Sequence, residues 1–150
     1  MPAEYRNIYQ TARKAAGLTQ EAAAERLDIS VESIRAYERG LRIPPNDVVA
    51  RMAVTYNNIA LGYEHVRSTD DLMASIVPQL EHRSMMEVVV RLYNRMNRFA
   101  SHRQVDRLME MAEDGRIDAQ EQEEFAAILA DIREIVQIGL ELEVTSRDKE

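Results

Sequence analysis

The chain has 150 residues, of which 45% are apolar and 30% are charged, with five glycines and four prolines. This composition is typical of a globular, helix-rich protein and excludes a chain that is disordered throughout. The absence of cysteine excludes disulfides, thiolate metal sites and cysteine nucleophiles. Because no run of about 18 apolar residues occurs, we expect no membrane-spanning helix. The N-terminus reaches a charge before any apolar segment, so we expect no signal peptide and a cytoplasmic location.

The net charge of −7 is unevenly distributed along the sequence. Residues 1–67 carry nine Lys or Arg and eight Asp or Glu, and residues 68–109 carry six and five. Residues 110–150 carry four basic and thirteen acidic residues. Phosphates respond to the local potential of a docking face, so an acidic protein can still bind nucleic acid. We expect the acidic C-terminal end to lie away from the face that binds nucleic acid.

Two short helices are predicted at the start of the chain. The apolar residues of the first recur at helical spacing, and they are Tyr5, Ile8, Ala12 and Ala15. Gly17 is suited to end this helix, because glycine adopts the left-handed conformation that closes many helices. Thr19 is suited to cap a second helix that runs to about Leu27.

A third helix is predicted over Val31–Arg39. Asp28 and Ile29 turn the chain, Ser30 is the N-cap candidate, and Gly40 ends the helix. Asp28 stands where a positive φ is expected, which aspartate tolerates better than most residues.

Two further helical segments complete the first part of the chain. Pro44 and Pro45 force an extended connection, and Asn46 is the predicted cap of a fourth helix. The residues of this helix predicted to point inward are Val49, Met52 and Ala53. A brief helical turn follows near 59–65, and a polar stretch at 68–71 marks a predicted domain boundary.

The C-terminal part is predicted to contain three helices, over Met85–Phe99, about 103–113 and about 119–143. The last helix carries a wide apolar stripe composed of Phe125, Ile128, Leu129, Ile132, Ile135 and Val136. The stripe is predicted either to form a dimer interface or to be covered by the other two helices. Arg91, Arg95 and Arg98 lie on one edge of their helix. A DNA contact is the alternative for them, and pairing with the acidic segment 110–124 is the prediction.

The second and third helices form a helix-turn-helix unit, in which the first helix crosses the DNA backbone and the second enters the major groove. At 100° per residue, Ile34 and Tyr37 point to one side of the third helix. The opposite side carries Glu32, Arg35, Ala36 and Arg39, flanked by Val31 and Ser33. On this face Arg35 can donate two hydrogen bonds to guanine, Glu32 can accept one from cytosine, and Val31 can contact a thymine methyl.

Residues 8–62 resemble the Xre/Cro-type helix-turn-helix family of phage-like repressors. The matching positions are Arg13, Gly17-Leu18-Thr19-Gln20-Glu21, Ala24, Leu27, Ile29-Ser30, Ile34 and Tyr37-Glu38-Arg39-Gly40-Leu41-Arg42-Ile43-Pro44. The sequence departs from the family at Asp28, where glycine is usual.

This resemblance implies which residues contact DNA. Base or backbone contacts are expected from Gln20, Val31, Glu32, Ser33, Arg35 and Arg39, with phosphate contacts from Arg13 and Arg42. Glu38 is expected to pair with Arg13, since a buried carboxylate needs a partner. Glu32 is either a solvated residue or a discriminator against wrong sequences, because phosphates repel its carboxylate.

Other classes of site find little support in the sequence. Residues 114–121 imitate the second half of a calcium-binding loop, but Ala112 stands where an oxygen ligand is needed. The same residues are explained by a helix that ends at Gly115 and a capping box formed by Asp118 and Glu121. The three histidines are isolated and no glycine-rich phosphate loop occurs, so we expect no metal, no cofactor and no enzymatic activity.

We therefore predict an all-α protein with a five-helix, lambda-repressor-like DNA-binding domain over residues 1–67. A C-terminal helical bundle over residues 68–150 is predicted to serve dimerisation or partner binding. The expected function is sequence-specific binding of double-stranded DNA by a homodimeric transcriptional regulator, a repressor, that reads an inverted repeat through the helix at 31–39. The alternative is an antitoxin-like or adaptor protein whose helical tail binds a protein partner.

Overall fold

The structure, a computed structural model, describes residues 7–147, and Tyr5 of the predicted first helix lies outside this range. Within it the chain is helical and contains no strand, which confirms the all-α prediction. In chain order the helices are α1 (Asn7–Ala15), α2 (Gln20–Leu27), α3 (Val31–Glu38), α4 (Asn46–Thr55), α5 (Ala60–Thr69), α6 (Asp71–Ile76), α7 (Met85–Ser101), α8 (Gln104–Met111) and α9 (Gln122–Arg147).

The described chain forms two compact units, residues 7–80 and residues 81–146. The domain boundary predicted after residue 67 falls inside α5. Arg67 ties α5 to the segment that contains α6, because its Nη1 donates to the carbonyl oxygens of Ala74 at 2.9 Å and Val77 at 2.8 Å. The first compact unit therefore includes α6 and extends past the predicted boundary.

The predicted caps of α2 and α3 are confirmed. The Thr19 hydroxyl accepts a hydrogen bond from the Ala22 amide at 3.1 Å, and the Ser30 hydroxyl accepts one from the Ser33 amide at 3.1 Å. Asp28 takes the expected left-handed conformation with φ of 53°. These bonds satisfy amides that a helix start would otherwise leave unpaired.

The predicted cap of α4 is wrong. Pro45 occupies the N-cap position, and Asn46 is the first helical residue. The Asn46 side chain instead lies 2.9 Å from Nε2 of His65 on α5, so a partner distant in sequence takes its Oδ1 atom. The brief turn predicted near 59–65 is a full helix, which begins where Asn58 accepts a hydrogen bond from the Leu61 amide.

One apolar core holds α1 to α5 together. Its buried residues are Tyr9, Ala12, Ala23, Ala24, Leu27, Ile34, Tyr37, Val48, Val49, Met52, Tyr56 and Leu61. Val49, Met52 and Ala53 are buried, as predicted for α4. The buried imidazole of His65 joins two helices to α5, because its Nδ1 lies 2.7 Å from the Tyr9 hydroxyl while Nε2 faces Asn46.

In the second unit, α7 begins with a capping box formed by Ser84 and Glu87.

The stripe proposed for dimerisation on α9 is largely covered within the chain. Ile128 is buried, and those half-buried are Phe125, Leu129, Ile132 and Ile135. Only Val136 of the six is exposed, at 55%. This burial favours an internal bundle over a dimer interface, because the covered residues offer little surface to a second chain.

The acidic partners predicted for the α7 arginines also differ from those observed. Arg91 donates to Glu141 at 2.7 Å, and Arg95 pairs with Asp131 at 3.2 Å and with Glu134. These carboxylates lie on α9 rather than in segment 110–124, because α9 supplies acidic residues to the same face of α7 that buries Val88. Arg98 makes no such pair within residues 7–147.

The loop before α9 has the predicted capping pair, but the predicted helix-ending position of Gly115 is wrong, because α8 ends at Met111 with Ala112 as its C-cap and Gly115 lies in the loop beyond it. Gly115 has φ of 71°, the Asp118 carboxylate accepts from the Glu121 amide at 2.9 Å, and Glu121 accepts from the Asp118 amide at 3.3 Å. Among residues 7–147, no group of three or more acidic or histidine side chains is placed to hold a metal ion. None of the described helices is both long and apolar enough to cross a membrane.

Candidate nucleic-acid interface

The helix pair α2 and α3 is joined by a tight turn at residues 28–30. The Ile29 amide donates to the Ala24 carbonyl at 3.1 Å, and the chain turns at Asp28, which has a left-handed conformation. Leu27 and Ile34 are buried on either side of this turn. Apolar packing on both helices therefore fixes the orientation of α3 relative to α2.

Helix α3 has a buried side and an exposed side. Ile34, Tyr37 and Glu38 are buried. The exposed residues are Glu32, Arg35 and Arg39, with Ser33 and Ala36 half-buried beside them. Val31 packs against the core of the first unit, so the thymine contact expected of its side chain has no support in this geometry.

An ion pair fixes the buried side of α3 to α1. The Arg13 guanidinium donates to Glu38 twice, from Nε to Oε1 at 2.5 Å and from Nη2 to Oε2 at 3.0 Å. Its Nη1 donates to the Leu18 carbonyl at 2.6 Å. Only 7% of the Arg13 side chain and 3% of the Glu38 side chain are exposed. The phosphate contact expected of Arg13 is therefore replaced by a structural role, whereas the pairing predicted for Glu38 is observed.

The pKa values of this pair reflect burial and pairing together. Burial alone would raise the pKa of Glu38, but hydrogen bonds from Arg13 and Gln20 and the charge of Arg13 lower it below its usual value. The hydrogen bond to Glu38 raises the pKa of Arg13. Both groups are therefore charged at neutral pH, which makes this a buried salt bridge with several hydrogen bonds to each partner.

Gln20 connects this buried pair to the exposed side of α3. Its Nε2 donates to Glu38 at 2.8 Å, and its Oε1 accepts from Nε of Arg35 at 3.3 Å. The Gln20 amide therefore has one end in the core network and the other on the exposed face. This arrangement orients Arg35 through a chain of three side chains.

Arg35 also lies near two carboxylates. Its Nη2 is 3.4 Å from Glu21, and its Nη1 is 3.9 Å from Glu32. Sequence reasoning did not identify Glu21, because its partner is fourteen residues away and the two meet only once α2 packs against α3. These exposed pairs are weak, so a ligand can take their place at little cost.

Arg42 lies beside the start of the exposed face. Its Nη2 donates to the Ser33 hydroxyl at 2.9 Å and to the Tyr37 hydroxyl at 3.3 Å, and its guanidinium stands 5.0 Å from the centre of the Tyr37 ring. The stacking and the hydrogen bonds hold a cation at the edge of α3. Arg39, by contrast, is exposed, and its guanidinium makes no hydrogen bond or ion pair within residues 7–147.

A short three-residue turn between two packed helices, with the second helix exposing basic and polar side chains, defines a helix-turn-helix DNA-binding domain. Residues 10–63 match the family model described as Helix-turn-helix. The match supports a helix-turn-helix domain of the Xre and lambda-repressor type, a class of DNA-binding regulators, in this part of the chain. No curated protein and no solved structure matches the chain.

Proposed function

We propose that the protein represses transcription by binding specific sequences of double-stranded DNA as a homodimer, with the exposed side of α3 in the major groove. The observation that supports this proposal is the division of α3 into a buried side anchored by the Arg13–Glu38 pair and an exposed side that presents arginines. A helix that is held rigidly on one side can place side chains against base edges reproducibly.

Arg35 and Arg39 are the proposed base-reading residues. Arg39 has no internal partner to give up within residues 7–147, whereas Arg35 exchanges Gln20 and Glu21 for a base. A guanidinium donates two parallel hydrogen bonds to O6 and N7 of guanine, which is the most common specific contact in the major groove. The carboxylates near Arg35 repel phosphates, and they therefore reduce binding to sequences that offer Arg35 no base contact.

Arg42 is the proposed phosphate contact, and Ser33 and Gln20 are proposed to contact DNA beside it. The Tyr37 ring supports the Arg42 guanidinium, so the cation is held in place before DNA arrives. Phosphate contacts set the position of a protein on the duplex without reading its sequence. Arg42 is therefore expected to contribute equally to binding of all sequences.

Two copies are needed because one copy carries little net positive charge. Residues 1–67 hold nine basic and eight acidic residues, so a single domain gains little from counterion release. A two-fold symmetric dimer places two α3 helices in successive major grooves, about 34 Å apart, and reads an inverted repeat.

The proposal is tested by selecting bound duplexes from a random pool and then titrating variants against the selected and a scrambled duplex. We expect Arg35→Ala to cost about 1–3 kcal/mol on the selected duplex and to relax the preference at one base pair. We expect Arg42→Ala to weaken binding to both duplexes alike and to reduce the salt slope by about one.

Arg133→Ala is the matched control, because it removes the same charge from an exposed position on α9. It is expected to leave both affinities unchanged. A base-reading role for Arg35 is refuted if Arg35→Ala weakens the selected and scrambled duplexes equally. The proposal as a whole fails if the wild-type protein selects no sequence from the pool.

A further inference from the structure

The amide of Gln20 lies between one group that only accepts hydrogen bonds and one that only donates them. Its Nε2 donates to Oε2 of Glu38 at 2.8 Å, and its Oε1 accepts from Nε of Arg35 at 3.3 Å. An ionised carboxylate has no donor, and a guanidinium has no acceptor. Turning the amide over would set two acceptors against each other at Glu38 and two donors at Arg35. The amide nitrogen therefore faces the core network, and the amide oxygen faces the exposed side of α3.

The contact with Glu38 holds this orientation without help from Arg35. Only 3% of the Glu38 side chain is exposed, and Arg13 donates to both of its oxygens, at 2.5 Å and 3.0 Å. Glu38 therefore remains an acceptor when the exposed side of α3 meets a ligand. Because the nitrogen of Gln20 stays on Glu38, its Oε1 still faces outward after Arg35 has left it for a base.

The groups that DNA offers to this oxygen differ in their chemistry. Phosphate oxygens only accept hydrogen bonds, so they have nothing to donate to Oε1. The donors in the major groove are the amino groups at N4 of cytosine and N6 of adenine. An Oε1 without a donor would lose the bond that Arg35 supplied, and this loss would weaken binding. An exocyclic amino group is therefore the part of the duplex that matches this oxygen.

We propose that Oε1 of Gln20 accepts a hydrogen bond from the exocyclic amino group of a cytosine or an adenine, beside the base that Arg35 reads. This inference rests on the proposed function, in which α3 occupies the major groove and Arg35 exchanges Gln20 for a base. It adds a base-reading residue at the start of α2 to those on α3. Gln20 then contributes to sequence preference rather than to general affinity.

Loss of the oxygen is tested with Gln20→Met, which keeps a side chain of similar length and has no amide. Duplexes are selected from a random pool with the wild type and again with the variant. We expect Gln20→Met to lose the preference for an amino-bearing base at one position. It should bind the duplex selected by the wild type about three- to tenfold more weakly, which corresponds to one hydrogen bond. Its affinity for a scrambled duplex should stay unchanged.

Gln10→Met is the matched control, because the Gln10 amide donates to the same Oε2 atom of Glu38, at 3.5 Å. This variant also removes a donor from Glu38, but within residues 7–147 Gln10 makes no hydrogen bond to Arg35. We expect Gln10→Met to select the same sequence as the wild type. Loss of the same preference in Gln10→Met would assign the effect to the network around Glu38 and would overturn the reading by Gln20.

Methylation of the amino nitrogen changes the DNA and leaves the protein intact. In a base pair, N4-methylcytosine and N6-methyladenine keep the hydrogen that bonds the opposite base, and the methyl group replaces the hydrogen in the major groove. At the position whose preference Gln20→Met loses, methylation should weaken wild-type binding about three- to tenfold. Gln20→Met should bind the methylated and unmethylated duplexes equally. The base that shows this pattern, cytosine or adenine, identifies the donor.

Arg35→Ala separates direct reading by Gln20 from an effect that acts through Arg35. We expect Arg35→Ala still to bind the methylated duplex more weakly than the unmethylated one. The difference should disappear in the double variant Arg35→Ala with Gln20→Met. If methylation has no effect on Arg35→Ala, Gln20 acts only by orienting Arg35, and the proposed contact with the amino group is overturned.

Two further results would overturn this contact. Equal weakening of the selected and scrambled duplexes in Gln20→Met would indicate a phosphate contact through the second hydrogen of Nε2. Wild-type binding that amino methylation leaves unchanged would exclude the donor. In both cases a sequence preference that depends on Arg35 would leave the proposed function standing. A wild type that selects no sequence would refute the proposed function and this inference together.

Discussion

Removing one partner of the Arg13–Glu38 pair is expected to destabilise the first unit strongly. In Glu38→Gln the Arg13 guanidinium remains, with only 7% of its side chain exposed, and has no opposite charge. Breaking a buried ion pair by removing one partner costs about 3–5 kcal/mol, because the remaining charge is desolvated and uncompensated. We expect Glu38→Gln and Arg13→Met each to lower the free energy of unfolding by that amount.

The double variant Arg13→Met with Glu38→Leu separates the charge from the packing. It removes both charges and leaves the Leu18 carbonyl and the Gln20 amide without their partners. Each such unsatisfied group costs about 1–3 kcal/mol. The double variant should therefore lose much less free energy of unfolding than the sum of the two single-variant losses. Urea titration followed by tyrosine fluorescence suits this measurement, because five of the six tyrosines lie in residues 1–67.

Arg51→Met is the control for this cycle, because Arg51 forms an exposed pair with Asp47 at 3.2 Å. Its loss is expected to change the free energy of unfolding by about 0.5 kcal/mol or less.

The pKa of Glu38 adds a second readout. Because it lies below the unfolded value of 4.5, the stability that the carboxylate contributes is lost as pH falls below that value. The reasoning is refuted if each single variant lowers the free energy of unfolding by less than about 1 kcal/mol and the double variant lowers it by the sum of the two.

Two further predictions concern stability. Burial lowers the pKa of His65, so the unfolded chain binds its proton more readily, and stability should fall as pH drops below 6.5. A free energy of unfolding that stays constant as the pH falls from 7.5 through the pKa of His65 in the folded protein would contradict this. In His65→Gln, the part of the pH dependence that comes from this imidazole should disappear. Gly17→Ala should lower the free energy of unfolding by about 1 kcal/mol, because φ of Gly17 is +70°. Gly139→Ala should raise it by about 0.5–1 kcal/mol, because Gly139 lies within α9 and an added methyl meets no atom within 4 Å. Urea titrations with the reverse signs would contradict both.

Features that depend on a few neighbouring residues could be predicted from the sequence. Thr19 and Ser30 cap helices through amides three residues away, and the left-handed turn at Asp28 depends on the same short segment. Asn46 shows the limit of this reasoning. Its side chain could cap α4, but His65, nineteen residues away, takes it instead. A local pattern cannot show which of two satisfactory partners the folded chain provides.

The division of surfaces in the second unit could not be predicted for the same reason. Periodicity identifies the apolar stripe on α9, but not which neighbouring helix covers it. The structure covers most of the α9 stripe and leaves Tyr93 and Val90 on α7 exposed. On the candidate site, the sequence indicated the exposed arginines of α3, but the contacts of Arg35 with Glu21 and Gln20 depend on how α2 packs against α3.

Methylation interference on a selected duplex tests the central claim most directly, since methylation of guanine N7 blocks contacts in the major groove. We predict that interference falls in two groups of guanines related by two-fold symmetry and about one helical turn apart. In Arg35→Ala or Arg39→Ala, interference should vanish at the guanine that the removed arginine contacts and persist at the others. Binding that is insensitive to every guanine methylation, or sensitive only to methylation of adenine N3 in the minor groove, would contradict the placement of α3 in the major groove.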